Sequence, residues 1–256
     1  MNALIGWSGV VGSTIVRQAP PFEQVFRSTT IGGIGREEYD LVVCAGAPGA
    51  KWQANREPEA DRASLTRLTA ALGGLRCRRF VLISTVDVFA APRGVDESSA
   101  IAAASSPYGR HRRELEIFAN EQFQSVLIVR LPALVGPGLR KNALFDLLNR
   151  HEVERLDPDA RYQVYPIDRL WADIQLALAA DLHLVHLVAP PLRLGDIARE
   201  AFGLQLPAHR GSVPPSYDVR SRHAALLGGA DSWPVSREES MRAIVTYARS
   251  EPRVGA

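Results

Sequence analysis

A doubly wound parallel α/β sheet with a small C-terminal lobe is the fold class this chain predicts, on three observations. An apolar stretch at the N-terminus runs straight into a spaced glycine triplet. Strand-like and helix-like segments then alternate through the first half. After Gly136-Pro137-Gly138 the pattern loosens, as a smaller lobe would require.

The first element is the most informative. Met1-Asn2-Ala3-Leu4-Ile5 leads into Gly6-Trp7-Ser8-Gly9-Val10-Val11-Gly12, and Ser13-Thr14-Ile15-Val16 continues at helical spacing. This reads as a strand, a tight turn and a helix start, with backbone N–H groups and a helix N-terminus facing a phosphate. Gly6 makes the turn, Gly9 lets the chain approach a pyrophosphate, and Gly12 lets helix and strand pack closely. Any surface turn can supply three glycines, but the place directly after a strand favours nucleotide binding. Trp7, inside the turn, is read as packing against the cofactor.

Gln24-Val25-Phe26-Arg27 reads as a second strand and Asp40-Leu41-Val42-Val43-Cys44-Ala45 as a buried parallel one. A helix starts near Pro58, carries Leu65, Leu68 and Leu72, and stops at Gly73-Gly74. Arg79 to Ser84 is the next strand, Pro107 opens another helix, and Ser125 to Arg130 follows as a strand. Beyond the glycine-proline loop, Ala143 to Leu148 and Arg169 to Ala180 look helical. Tyr162 to Tyr165 and His183 to Val188 look extended, and a last helix covers Ser236 to Arg249. The expected organisation is a dinucleotide-binding domain over 1–135, with elements returning from about 160–190, interleaved with a substrate lobe over 136–256.

Composition narrows the function. The net charge of +2 across 256 residues, with no basic run interleaved with aromatics, argues against nucleic-acid binding. Lys51 and Lys141 are the only lysines, a bias toward arginine. Cys44 and Cys77 are too few for a disulfide framework and fit a reducing, cytoplasmic setting. No apolar stretch approaches a membrane span. His183 and His186 fall on opposite faces of an extended segment, so no metal site is expected.

Chemistry gathers beyond the strand ending at Ser84. Ser84-Thr85-Val86-Asp87-Val88-Phe89 is followed by Ser106-Pro107-Tyr108-Gly109-Arg110-His111-Arg112. Tyr108 and Arg112, four apart near a helix start, project from one face. A strand-end hydroxyl and a phenol beside a cation suit hydride chemistry at an alcohol carbon. The phenol exchanges the alcohol proton, the hydroxyl holds the substrate oxygen, and the cation, helped by oxidised nicotinamide, draws the phenol pKa toward neutrality. The alternatives are a hydroxyl capping local backbone and an amphipathic surface tyrosine. His111, on another face of the helix, is expected to be exposed.

Together these segments resemble the extended short-chain dehydrogenase/reductases, the NAD(P)-dependent epimerase/dehydratase group, and within it the dehydrorhamnose-reductase-like branch. Gly6-x-x-Gly9-x-x-Gly12, Ser84-Thr85-x-x-Val88-Phe89, Tyr108-x-x-x-Arg112, Arg130 to Gly138 and Tyr165 to Leu170 carry the resemblance in order. It implies a Rossmann-like fold, Thr85 as the substrate-holding hydroxyl, Tyr108 as acid/base, and Pro132 in a loop over the nicotinamide. It also implies a sugar or nucleotide-activated sugar as substrate, and a homodimer. Arg112 stands where the family has lysine, and the two side chains are not interchangeable. Arg112 does the lysine's work at altered geometry, points outward as a solvated charge, or marks lost chemistry. Asp87 sits where the dehydratases carry a catalytic carboxylate, but its companion position is Val86, which disfavours a two-carboxylate dehydration. Ala133 replaces an asparagine often used for the nucleotide sugar.

The second strand ends in Phe26-Arg27-Ser28-Thr29 with no carboxylate for a ribose diol, so Arg27 and Ser28 lean the reading toward NADP over NAD. Ala45-Gly46-Ala47 resembles the family's small-residue turn beside the cofactor, or is simple tight packing. Arg140-Lys141 reads as a solvated loop charge and Asp168 as a helix cap. The leading expectation is a cytoplasmic NAD(P)-dependent oxidoreductase or epimerase. The competing one is a dinucleotide-binding sensor or assembly subunit that lost turnover.

Overall fold

The protein is described by a computed structural model over residues 1–35, 37–102, 106–208 and 213–254. Along the chain run β1 (Asn2–Ile5), α1 (Val10–Gln18), β2 (Gln24–Phe26), β3 (Glu38–Cys44), α2 (Lys51–Arg56) and α3 (Pro58–Leu72). Next come β4 (Arg76–Thr85), β5 (Arg93–Val95), α4 (Pro107–Gln122), β6 (Val126–Leu131), β7 (Ala133–Val135) and α5 (Ala143–Asn149). The chain continues through β8 (Arg161–Tyr162), β9 (Val164–Pro166), α6 (Leu170–Ala179), β10 (Leu184–His186) and β11 (Leu192–Arg193). It finishes with α7 (Leu194–Phe202), β12 (Asp218–Val219) and α8 (Arg237–Ser250). None of the described helices is long and apolar enough to cross a membrane.

Two compact units emerge. The first comprises Met1–Ala91, Ser99–Leu131 and Leu170–Val185. Its six-stranded sheet has the order β10-β6-β4-β3-β1-β2, with β1, β2, β3, β4 and β6 pairing in parallel. The chain steps from β1 to β2 on one side and returns to β3 on the other. The strand order therefore reverses between β1 and β3, and the loops at their carboxyl ends diverge there, where such sheets bind ligands.

The period of two along buried strands builds the core. Ala3 and Ile5, Val42 and Cys44, Phe80 and Leu82, Val126 and Ile128 share one face with Leu65, Leu68 and Leu72 of α3 and Leu115 and Ala119 of α4. Phe80 stacks on Phe123 with centroids 4.1 Å apart. Burial pushes the Cys44 thiol up to about 11. A polar network interrupts this core. Glu116 of α4, fully buried, accepts from Ser84 Oγ at 2.6 Å and from Arg130 Nε and Nη2 at 2.9 and 2.8 Å. It ties β4, α4 and β6 together directly beneath the strand ends.

The second unit comprises Pro92–Ser98, Pro132–Arg169 and the chain from His186 onward. Its core gathers Leu144, Leu147 and Leu148 of α5, Ile197 and Ala198 of α7, and Ile244 and Tyr247 of α8. Gln163 stitches it, donating to the carbonyls of Ala189 and Val219 and accepting from Val219 N. Ser236 caps α8 by accepting from Glu239 N at 3.1 Å.

The structure departs from the pattern reading in a few places. Tyr162 to Tyr165 is not one strand, because β8 pairs with β11 and β9 with β7. Two helices escape the sequence pattern. The first, α2, is six residues long, too short to show a period; α7 begins directly after β11 with no capping side chain to announce it. The segment read as helical from Arg169 opens with a single tight turn, Ile167–Arg169, which contains Asp168, before α6.

Candidate active site

Strain and close packing explain the glycines of the first turn. Gly6 has φ +84°, and a Cβ there would lie 2.3 Å from the Ala45 carbonyl oxygen. At Gly12 a Cβ would lie 2.1 Å from the Gly6 oxygen, so helix and turn touch backbone to backbone. Gly9 differs: its nearest neighbour would be 3.6 Å away, so packing does not demand glycine there. Gly9 is the N-cap of α1, and neither it nor any acidic residue in the first turn supplies a side-chain acceptor to the helix N-terminus. The N–H groups of Val10 and Val11 are therefore presented with Trp7, Ser8 and Gly9 exposed around them. That cradle fits a pyrophosphate.

Gly6 N donates to the Phe26 carbonyl at 2.7 Å, which fixes the end of β2 beside the turn. Arg27 and Ser28 follow, both exposed, with Arg27 N donating to Thr30 Oγ1 at 3.0 Å. Across the switch point, Ala45, Gly46 and Ala47 leave β3 half-buried, and a Cβ on Gly46 would approach Ile5 at 3.0 Å and Leu68 at 3.3 Å. Pro132, between β6 and β7, is half-buried and belongs to the second unit.

The structure brings Thr85, Tyr108, Arg112 and Asp87 together. Thr85 is the last residue of β4, and its Oγ1 accepts from Asp87 N at 3.1 Å, capping the tight turn that follows. Ser106 caps α4 by accepting from Gly109 N, and Pro107 starts the helix, which places Tyr108 in its first turn. Tyr108 N donates to Asn55 Oδ1 at 3.1 Å, locking α4 to α2. The Arg112 guanidinium lies 4.0 Å over the Tyr108 ring.

Burial pushes the Tyr108 phenol up. The Arg112 charge opposes that rise, Asp87 adds to it, and a hydrogen bond from Thr85 and the Lys51 charge oppose it further. The balance of these protein groups stays above the ordinary value, because desolvation outweighs the cation.

Arg112 is not a solvated surface charge, since its side chain is 2% exposed. Nη1 donates to Asp61 Oδ2 and Nη2 to the Pro48 carbonyl, while Nε has no hydrogen-bond partner. His111 is likewise buried, contrary to expectation, because α3 covers that flank of α4. Its Nδ1 lies 2.7 Å from Asp61 Oδ2.

Two residues escaped the sequence reading. Asp61 sits in the first turn of α3, where a carboxylate reads as an ordinary helix-dipole partner. Lys51, at the start of α2, reaches Asp87 Oδ1 with Nζ at 2.6 Å. A signal existed for Lys51: it is one of two lysines among 30 basic residues. Elsewhere, His186 Nδ1 contacts the Arg220 carbonyl at 2.9 Å and His183 Nδ1 the Val126 carbonyl at 3.4 Å.

A profile of the NAD dependent epimerase/dehydratase family matches residues 27–159, just over half of the chain. The glycine turn precedes that span and stands on its own geometry. No curated protein matches the chain. Among solved structures, the chain is similar to the UDP-glucose 4-epimerase of Thermotoga maritima with UDP-glucose, at 17% identity and a TM-score of 0.74, covering 97% of this chain and 99% of that one. It is also similar to the dTDP-4-dehydrorhamnose reductase of Bacillus anthracis in complex with NADP, at 14% identity and a TM-score of 0.74, covering 96% and 97%. The Bordetella bronchiseptica enzyme WbmG in complex with NAD and UDP aligns at 13% identity and a TM-score of 0.72, covering 96% and 93%. These likenesses show the fold, a Rossmann-like α/β sheet, and the profile shows the lineage: the chain belongs to the NAD dependent epimerase/dehydratase family.

Proposed function

We propose that this protein is an NAD(P)-dependent oxidoreductase or epimerase of the cytoplasm, acting on a sugar or nucleotide-activated sugar. The observation that carries the reading is the pairing, at the carboxyl ends of β1 and β4 in one sheet with β3 between them, of an uncapped glycine-lined helix N-terminus with the Thr85–Tyr108–Arg112 cluster. The UDP-glucose, NADP, NAD and UDP bound in the similar structures support the substrate and cofactor class.

A bound nicotinamide supplies or takes the hydride. Gly6, Trp7, Ser8, Gly9, Val10, Val11 and Gly12 hold its pyrophosphate, and Ala45, Gly46 and Ala47 let it pass closely. Arg27 and Ser28 meet a 2′-phosphate, and the Phe26-Arg27-Ser28-Thr29 stretch carries no carboxylate to bind a ribose diol, which favours NADP over NAD. Thr85 orients the substrate oxygen, and Tyr108 gives or takes its proton. Arg112 holds positive charge against the Tyr108 ring and so opposes the upward push of burial.

The test is Tyr108→Phe, which keeps the ring under Arg112 and removes the hydroxyl. NADPH binding, followed by nicotinamide fluorescence, is expected to persist. Turnover of dTDP-4-dehydrorhamnose with NADPH, or of UDP-glucose with NAD, is expected to fall on the order of 10³-fold. Unchanged turnover would remove Tyr108 from the mechanism. A second reading, a dinucleotide-binding sensor, draws on the engagement of Arg112 by Asp61 and Pro48. It predicts NADPH binding with no turnover by the native chain.

A further inference from the structure

The family's lysine combines two properties: a positive charge and a proton that can leave. Arginine at position 112 keeps only the first. A guanidinium does not deprotonate in proteins, and this one is buried and bound to Asp61 and the Pro48 carbonyl. Tyr108 is itself buried, at 9% exposure, so little of it meets water directly. A net reduction consumes one proton per turnover, and that proton must reach Tyr108 by some route. An epimerisation returns the same proton and needs no such route.

A route runs from Tyr108 to solvent within the first unit. Tyr108 is hydrogen-bonded by Thr85. Thr85 Oγ1 lies 3.4 Å from Asp87 Oδ2, and Asp87 Oδ1 lies 2.6 Å from Lys51 Nζ. The Lys51 side chain is 42% exposed and Asp87 17%, so exposure rises stepwise outward from the buried phenol. The charged groups acting on the phenol come from three elements: Arg112 on α4, Asp87 in the turn after β4, and Lys51 on α2.

We propose that Asp87 and Lys51 relay the proton that Tyr108 exchanges with solvent, a task the Arg112 guanidinium cannot perform, and that the reaction served is a net reduction of a keto-sugar. This rests on the proposed function. Hydride, supplied by a reduced nicotinamide, adds to the carbonyl carbon, and the C=O π pair moves to oxygen, which takes the Tyr108 proton. The phenolate takes the Thr85 hydroxyl proton. Thr85 is reprotonated from Asp87, which draws on the Lys51 ammonium, and the resulting amine takes a proton from water. The Thr85–Asp87 link, at 3.4 Å, exceeds the ordinary O–H···O range. The Asp87 carboxyl, having collected the proton on the oxygen facing Lys51, turns about its Cβ–Cγ bond to deliver it to Thr85.

The experiment compares Lys51→Arg, Lys51→Met and Tyr108→Phe with the native protein, using NADPH and dTDP-4-dehydrorhamnose, across pH and with added imidazole. Arginine keeps the charge and the ion pair with Asp87 but cannot release a proton. Both Lys51 variants are expected to bind NADPH within about twofold of native while kcat falls on the order of 10²-fold. Imidazole, a mobile proton carrier, is expected to restore their rate in proportion to its concentration and to leave the native rate unchanged. A Lys51→Arg variant at the native rate, or no imidazole response, overturns the relay while a dead Tyr108→Phe keeps the proposed function. A native chain that binds NADPH and fails to reduce the keto-sugar overturns the assignment to net reduction and the relay with it.

Discussion

Replacing Asp61 by asparagine removes the carboxylate that balances a buried guanidinium. The Asp61 side chain is 4% exposed and that of Arg112 2%. One Asp61 oxygen serves both Arg112 Nη1 and His111 Nδ1. Breaking such a pair leaves an uncompensated buried charge, at a cost of about 3–5 kcal/mol. For a chain of this size each kcal/mol moves Tm by about 2–4 °C, so Asp61→Asn is expected to unfold roughly 6–20 °C earlier at pH 7. Burial raises the Asp61 carboxyl, but the hydrogen bonds and charges of Arg112 and His111 outweigh it and hold the group below its ordinary value. The sign follows: the stabilisation is complete above the unfolded carboxyl pKa of about 3.9, and it is lost as pH falls through the lower folded value. Thermal unfolding by circular dichroism at pH 7 and pH 3.5 reads both effects, and the gap between native and variant narrows at the lower pH. A Tm within about 2 °C of native at pH 7 would refute the buried-charge argument.

Gly9 and Gly12 separate ligand contact from packing. Gly12→Ala drives a Cβ into the Gly6 carbonyl and is expected to lower both Tm and NADPH affinity. Gly9→Ala meets no close neighbour, so its Tm stays native while NADPH binding weakens about tenfold or more, provided the phosphate lies there. Glu116→Gln, beneath the site, is expected to cost about 3–5 kcal/mol by urea unfolding, because Arg130 is left charged and buried. Burial holds the Cys44 and Cys77 thiols at about 11 and about 12, so neither is expected to react with iodoacetamide at pH 8 until the protein unfolds; rapid native labelling would contradict the packing.

The sheet was legible because parallel strands announce themselves. Leu41 to Cys44 and Phe80 to Ile83 are continuous apolar runs, and Gly6 and Gly12 stand where backbone meets backbone. The pairing of Tyr108 with Arg112 followed from helical spacing alone. What the chain hid were contacts between elements far apart in sequence. Asp61 to Arg112, Asp61 to His111 and Lys51 to Asp87 span 51, 50 and 36 residues, and no local period encodes them. His111 read as exposed because its own helix offers it no partner; the partner comes from α3. The tyrosine's raised pKa was hidden for the same reason, since it depends on how deeply α4 is covered rather than on the arginine one turn away.

The central claim is that the glycine turn and the end of β2 form a dinucleotide site that prefers a 2′-phosphate. Titration of the folded protein with NADPH and with NADH, followed by nicotinamide fluorescence and tryptophan quenching, tests it directly. The account predicts binding of both, with NADPH about tenfold tighter, the ratio expected from one charge-assisted contact to Arg27. Arg27→Ala is expected to erase that difference. Binding of neither dinucleotide by protein shown to be folded would contradict the account.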